Sequence, residues 1–256
     1  MKISIITVVK NGMPFIKDAI KSFELQKFNN KELIIVYSKS NDQTENYIKN
    51  LLKKKYIIIK DSSNNRYRAI NKGIKKTTGN VIGLLHADDI FFSNQTLSDV
   101  SKNINKCDIV YGGVYFSKRD NLKCIKRIWY PTNLNKNNIP LGWAPPHIST
   151  FMKKSVFNKI GYYSEKYFIA ADYDFLLRAI YSNKFKIKST NKFHNIMRLG
   201  GDSTNIKKFL LKLKEDYLIV KKHNLSIISL AYKILFKFSQ INKKKIINNN
   251  YINKFN

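Results

Sequence analysis

Apolar residues along the chain fall in short unbroken runs separated by stretches of helical period. Ile3–Val9 (ISIITVV) is almost wholly apolar or β-branched, the pattern of a strand covered on both faces. Asn11-Gly12 and Pro14 break it and open a helix through Gln26. Leu33–Val36 is a second buried strand, followed by a helix over Asp42–Lys53 with Asn41 or Asp42 as its cap. Tyr56–Ile59 is a third strand, Tyr67–Lys76 a third helix ended by Thr77-Thr78-Gly79, and Val81–Leu85 a fourth strand that runs directly into His86-Ala87-Asp88-Asp89. This rhythm predicts an α/β domain with a mostly parallel, Rossmann-like sheet flanked by helices. Such sheets bind ligands beyond the carboxyl ends of their strands. That rule gathers Val8–Gly12, Tyr37–Ser40, Asp61–Asn64 and His86–Asp89 around one crevice.

The second half changes character. Asp108–Phe116 and Lys123–Trp129 read as strands of a mixed extension, and Thr132–Pro146 as a long polar loop of the kind that forms lids. A short strand over His147–Met152, a helix over Lys153–Ile160, an amphipathic helix over Asp172–Ser182 and a short strand at Phe185–Ile187 follow. The expected division is a domain over residues 1–205 and a basic helical extension over 206–256, with helices at Lys207–His223 and Leu225–Gln240.

Composition sharpens this picture. The 256 residues are 43% apolar, enough for a full core, so disorder throughout is excluded. The net charge is +30, from 47 bases against 17 acids, and 41 of the bases are Lys. Lysine is a flexible point charge and a poor bidentate reader of bases or phosphates, so the charge alone does not indicate sequence-specific nucleic-acid recognition. Compositional bias is an equal explanation. Cys107 and Cys124 are too few for a disulfide framework and lack metal-site spacing. The N-terminus enters a strand after one Lys, so no signal peptide is expected. The apolar stretch Leu225–Phe236, interrupted by Lys233, is too short to span a bilayer.

With so few acids, each cluster of them is informative. Asp88 and Asp89 repel one another at a strand end unless a cation or donors offset them. Hard oxygen ligands of this kind suit Mg2+ or Mn2+; a solvated turn that caps the next helix is the plainer reading. Asp172 and Asp174 open a helix, where an Asp is a favourable cap and also a candidate general base. His147, after Ala144-Pro145-Pro146, is on its own an ordinary loop histidine.

Taken together, these segments resemble a family 2 glycosyltransferase, with the GT-A fold of nucleotide-diphospho-sugar transferases. The resemblance rests on ISIITVVKN at Ile3–Asn11, IIVYSKSNDQT at Ile34–Thr44, AINKG at Ala69–Gly73, Thr78-Gly79 and HADD at His86–Asp89. It continues through His147, Phe151, Gly161, AADYDFLLR at Ala170–Arg178 and LGGDS at Leu199–Ser203, and so covers about residues 1–205. It implies a nucleotide-diphospho-sugar donor held by Val8, Tyr37, Ser40, Asp42, Arg68, Asn71, Lys72, Asp88 and His147. It implies a divalent cation, Mn2+ or Mg2+, at Asp88 and Asp89, with Asp89 the direct ligand. Asp172 takes the place of the base in a single inverting displacement, with Asp174 in support.

Two positions depart from the family. Tyr37 stands where an Asp usually hydrogen-bonds the nucleotide base, and a phenol cannot accept as a carboxylate does. Arg68 stands where relatives often carry an Asp. Retention of Asp88, Asp89 and Asp172 argues against a degenerate, inactive homologue. The expected acceptor is a glycan or a lipid-linked hydroxyl, in surface polysaccharide or glycolipid synthesis. The expected location is the cytoplasm. The tail from Leu225 reads either as a basic amphipathic helix on an anionic inner membrane face or as a helix packed on the domain. A basic nucleic-acid-binding protein is the competing class; it leaves Asp88-Asp89 unexplained, and no specific nucleic acid is expected.

Overall fold

The computed structural model describes residues 1–53, 55–200, 206–247 and 249–255. The expected βα rhythm is present through the first third: β1 (Ile3–Val9), α1 (Ile16–Glu24), β2 (Lys31–Tyr37), α2 (Thr44–Asn50), β3 (Ile57–Lys60), α3 (Arg66–Lys76) and β4 (Val81–Leu84). These strands pair in parallel in the order β4-β1-β2-β3. Alternate residues serve two separate cores. Ile6, Ile34 and Val36 pack on one face with Tyr67, Ile70 and Ile74 of α3, whereas Ile3, Ile5, Leu33 and Ile35 pack on the other with Ile16, Ala19, Ile20 and Phe23 of α1. Burial on both faces is why these strands read as continuous apolar runs.

After β4 come β5 (Ile90–Phe91), α4 (Thr96–Ile104), β6 (Ile109–Ser117), β7 (Cys124–Trp129), β8 (Thr150–Lys153), α5 (Lys154–Ile160), α6 (Ala171–Tyr181) and β9 (Ile187–Arg198). β8 lies antiparallel between β4 and β6, and β6 pairs antiparallel with β7 and parallel with β9. Gly83 sits at the β4–β8 seam for a steric reason: a Cβ there would come within 2.4 Å of the Phe151 ring. His147–Ser149, expected at the head of this strand, form instead a turn of 3-10 helix that leads into β8. The strand expected at Phe185–Ile187 is the start of something longer: β9 runs twelve residues, with register shifts against β6.

The C-terminal segment comprises α7 (Ile206–Lys222), α8 (Ile228–Ser239) and β10 (Ile241–Ile246). It is not wholly helical. β10 pairs antiparallel with β7 and becomes an edge of the ten-stranded sheet. Tyr251 then tucks under α1, its hydroxyl 3.1 Å from the Ser22 carbonyl. The loop expected to act as a lid packs inward: Trp143 meets Tyr111 edge-on at 6.1 Å, and a Cβ on Gly142 would lie 2.6 Å from the Ser229 carbonyl of α8.

Candidate active site

The loops beyond β1 and β2 are fastened to one another by their own side chains. Asn11, at φ 52°, donates its N–H to Ser40 Oγ at 3.0 Å, and its Oδ1 accepts from Asn41 N–H at 2.8 Å. Asp42 accepts from Met13 N–H and from Thr44 N–H, both at 3.0 Å. Burial opposes ionisation of Asp42, but these donors hold its carboxyl below the usual range. Ser40 and Asp42 therefore build the loop that frames the crevice. Val8 lies half-buried on the strand end beside them, and Tyr37 is packed into the core cluster on the α1 face, 8% exposed.

α3 brings three of the expected residues to the same edge. Asn65 caps it, its Oδ1 accepting from Tyr67 and Arg68 N–H at 2.9 and 3.2 Å. Arg68 is exposed, and Lys72, one turn on, reaches the Lys60 carbonyl at 2.6 Å and Asp61 at 3.6 Å. Asn71 turns the other way. Its amide donates to the Tyr163 carbonyl (2.9 Å) and Glu165 (3.3 Å) and accepts from Tyr163 N–H (3.1 Å), so it braces α3 against the approach to α6 instead of facing the crevice.

At the end of β4 the two adjacent acids have different surroundings. Asp88 is about one-third exposed and pairs with Arg119 at 3.2 Å. Asp89 is fully buried: its Oδ1 accepts from Arg198 N–H at 3.0 Å, while Oδ2 has no hydrogen-bond partner among the described residues and lies 3.4 Å from His86 Nδ1. Burial pushes the Asp89 carboxyl up. Arg198, buried, also donates to the Asp88 carbonyl at 2.7 Å and to Asp18 at 2.5 Å. Both guanidiniums sit over the Phe15 ring, at 4.4 and 4.7 Å. Among the described residues no group of three His, Cys, Asp or Glu is arranged to hold a metal.

Asp172 stands at the first turn of α6, which has no side-chain cap of its own. The Tyr67 hydroxyl donates to the Ile169 carbonyl (2.6 Å) and lies 3.1 Å from Asp172 Oδ1. On the other side His147 Nδ1 is 3.8 Å from Asp172 Oδ2, and its Nε2 hydrogen-bonds the Tyr163 hydroxyl at 3.0 Å. Burial lowers the His147 pKa to about 4, so the ring is neutral at physiological pH. Burial works against the Asp172 carboxylate too, but His147, Lys212 and Lys233 facing it leave its pKa below the ordinary value. The result is an ionised carboxylate, one-third exposed, with one oxygen turned toward a neutral imidazole. The His86 and His147 rings, 6.5 Å apart, join this group to Asp88-Asp89.

α6 is positioned from behind by α7. Glu215, buried, accepts from the N–H groups of Phe168, Ile169 and Ala170 at 2.7, 2.9 and 2.9 Å, which caps the helix from another element. Asp174 is fully buried and ties Arg178 (3.0 Å), Lys222 (2.7 Å) and His223 (3.1 Å) together. Burial opposes its ionisation, but these three partners drive its pKa far down. Asp174 is thus a structural hub.

Sequence reasoning singled out Asp172, Asp88 and His147 but missed Tyr67, Tyr163, Glu215, Arg119 and Arg198. The one available signal was the scarcity of Arg: three of the six arginines, Arg119, Arg178 and Arg198, bond Asp side chains near the site. The later loop Leu199–Ser203 lies outside the described residues from Gly201 onward.

A model of the family described as glycosyl transferase family 2 matches residues 4–170. An uncharacterised glycosyltransferase of Rickettsia prowazekii is 29% identical over 203 residues, which cover 76% of this chain and 62% of that longer one. A PGL/p-HBAD biosynthesis glycosyltransferase of Mycobacterium bovis is 29% identical over 222 residues, 82% of this chain and 83% of that one. Among solved structures, a mannosyltransferase of Pyrobaculum calidifontis in complex with GDP-Man and Mn2+ superposes with a TM-score of 0.66 at 12% identity, covering 91% of this chain and 68% of that one. This last likeness is one of fold, the GT-A arrangement.

Proposed function

The chain belongs to glycosyl transferase family 2, and from that premise we propose that it transfers a sugar, with inversion, from a nucleotide-diphospho-sugar to a hydroxyl of a lipid-linked or glycan acceptor. The observation that carries this reading is Asp172: an ionised, partly exposed carboxylate beside a neutral histidine and across two imidazoles from Asp88-Asp89. A general base must be ionised and reachable by the hydroxyl it deprotonates. Asp172 accepts the acceptor's proton as its oxygen attacks the anomeric carbon. Tyr67 keeps the carboxylate turned toward the crevice by holding Oδ1. His147, neutral, lies where it can hydrogen-bond acceptor or diphosphate without adding charge.

The nucleotide takes the crevice beside Val8, Tyr37, Ser40 and Asp42, with Arg68 and Lys72 as flanking cations. A divalent cation, Mn2+ or Mg2+, would be held by Asp88 and Asp89. The buried Oδ2 of Asp89, without a partner among the described residues, behind the one-third exposed carboxylate of Asp88 fits a hard cation that keeps several waters. When bound it neutralises charge on the departing nucleoside diphosphate. Arg119, paired with Asp88, adds a guanidinium at the same edge.

No described helix is long and apolar enough to cross a membrane. The outer surface of α7 and α8 is nevertheless apolar. Among the described residues, thirteen of the nineteen exposed large hydrophobic side chains lie between Phe209 and Ile246, among them Leu210 (60%), Leu235 (60%) and Phe238 (64%). A patch of that kind, in a chain of net charge +30, suits the surface of an anionic membrane and brings the enzyme to a lipid-linked acceptor. The Mycobacterium relative is named for PGL/p-HBAD biosynthesis.

The test is a screen of nucleotide sugars with and without Mn2+, using Asp172→Asn as the control. The expected outcome is turnover in the native enzyme and a loss of about 100-fold or more in the variant. Equal turnover would remove Asp172 as base.

A further inference from the structure

α8 turns a polar row inward beside Leu230, which packs on the main core. Ser229 and Lys233 lie one turn apart on the same row of the helix, Ser229 almost fully buried and Lys233 largely so, and Lys237 continues that row to the exposed end of the helix. The faces beside them carry Ile228, Tyr232, Leu235 and Phe238, all exposed. A helix packed on a water-soluble core ordinarily does the reverse. The inward cations therefore need an account of their own.

They converge beside the base. Lys233 Nζ lies 3.3 Å from the centroid of the Tyr173 ring, the residue that follows Asp172, and 2.8 Å from Asp216. Lys212 reaches the other Asp216 oxygen at 2.7 Å. Arg127 of β7 stacks on Phe116 at 3.5 Å, and the Ile128–Gln240 hydrogen bond (2.9 Å) holds the end of α8 against it. Lys212 and Lys233 thus share one carboxylate, Asp216; neither Lys237 nor Arg127 has a carboxylate partner among the described residues. Burial lowers Lys233 to about 8 and Arg127 to about 10, so each would gain from an incoming anion.

A second observation is independent of charge. Of the ten buried side-chain polar atoms that lack a partner among the described residues, four surround α8: Arg127 Nε, Tyr173 Oη, Ser229 Oγ and Gln240 Oε1. Three of these can donate. Buried donors without acceptors are rare, because each has given up its hydrogen bonds to water without replacement. Here they accompany surplus cations on the acceptor side of Asp172.

We propose that the row Ser229, Lys233 and Lys237 of α8, running from its buried side to its exposed end, forms with Lys212 and Arg127 a phosphate subsite that holds the phosphate of a phosphate-bearing acceptor beside Asp172. The proposal deepens the glycosyltransferase reading and rests on it for the acceptor's role. It divides α8 between two tasks, with cations for the phosphate inside and apolar side chains outside. An acceptor whose phosphate is carried on a lipid satisfies both faces at once.

The experiment is calorimetric binding of two probes to the full chain: glycerol 3-phosphate, a soluble phosphate monoester, and dihexanoyl phosphatidic acid below its micellar concentration. Both should bind, and the double variant Lys233→Gln/Lys237→Gln and the single variant Arg127→Gln should each weaken them about tenfold. Lys106→Gln, an exposed lysine on the loop after α4, should leave them unchanged, and nucleoside diphosphate affinity should stay within about twofold in every variant. Tighter binding of the lipid probe identifies a lipid-carried phosphate; equal binding identifies a soluble one. The proposal is overturned if the α8 and Arg127 variants bind as the native chain does, if Lys106→Gln weakens binding as much, or if phosphate and nucleoside diphosphate are lost together. Thermal unfolding of each variant separates lost binding from lost folding. Asp172→Asn should retain phosphate binding, so failure of the base assignment and failure of the subsite give different results.

Discussion

The two sides of the crevice are held together in different ways. On the side proposed for the donor, the loops beyond β1 and β2 are closed by Asn11, Ser40, Asp42 and Thr44, side chains that belong to those loops or to the helix that follows. On the side proposed for the acceptor, Asp172 is placed by Tyr67 from α3, Glu215 from α7 and the Tyr163–His147 pair, residues 9 to 105 positions away along the chain. The donor side is therefore local and self-supporting. The acceptor side exists only when distant segments have docked, and the C-terminal helices are part of it.

The strongest way to break this contrast is at Glu215. Its carboxylate is the shared acceptor for three N–H groups ahead of α6, and charge-assisted bonds of this kind are each worth about 1.5–3 kcal/mol. Glu215→Ala leaves them unpaired and should cost about 3–5 kcal/mol of stability. Turnover should fall further than stability alone explains, because Asp172 loses its orientation. Nucleoside diphosphate affinity, which belongs to the other side, should hardly change in the fraction that remains folded. Glu215→Gln, which keeps one acceptor oxygen, should recover part of both losses. If nucleotide binding collapses in step with turnover, the two sides are not separable.

Acid sharpens the contrast at a somewhat smaller scale. His147 and His194 are both lowered to about 4 by burial, and His194 is held between the Ser149 carbonyl (3.0 Å) and Thr190 Oγ1 (2.8 Å). A histidine whose folded pKa lies below its unfolded value of about 6.5 takes up protons more readily when unfolded. Stability is therefore full above about pH 6.5 and is lost as pH falls toward 4, by up to about 3 kcal/mol per residue. Depressed carboxylates such as Asp174 begin to matter only below their unfolded values near 4, and Asp89, raised by burial, gains stability as pH falls, so the loss between 6.5 and 4 comes from histidine. Both residues lie in the second half of the chain. Melting temperature should fall through this window in the native protein and fall less steeply in His194→Gln; an unchanged slope would remove His194 from the account.

This division also governs what could be read from the chain. β1 to β4 were legible because burial on both faces leaves unbroken apolar runs with local turn signals. β9 was not, because Lys188, Asn191 and Lys192 interrupt its pattern and Asn191 at φ 55° kinks it. β10, with the sequence INKKKI, carries no burial signal and forms through pairing with β7. At the site, Asp172 and Asp88 stood out as rare acids at element ends. Tyr67 was hidden because it shares the period of Ile70 and Ile74 and looks like core. Glu215 was hidden because its partners lie 45 to 47 residues away. The amphipathic character of α8 was visible, but which face would turn inward was not, since that depends on Tyr173 and Asp216 of other helices.

The smallest expected effect concerns that outward face. Leu235 and Phe238 are 60% and 64% exposed, so replacing them with Glu removes little from the folded core. Each is worth about 1.5–3 kcal/mol if it is buried in an apolar medium. Leu235→Glu/Phe238→Glu should therefore keep the native melting temperature and its turnover of a soluble acceptor. Co-sedimentation with vesicles rich in anionic lipid should drop by tenfold or more, through the lost apolar burial and the added like charge. Raising salt should weaken the native protein's binding but not abolish it, because lysine attraction is screened while apolar contact is not. Equal sedimentation of variant and native chain would leave the charge of +30 as the sole source of attraction. A variant that unfolds would instead show that this face is covered within the protein, and that α8 supports the acceptor side from both of its surfaces.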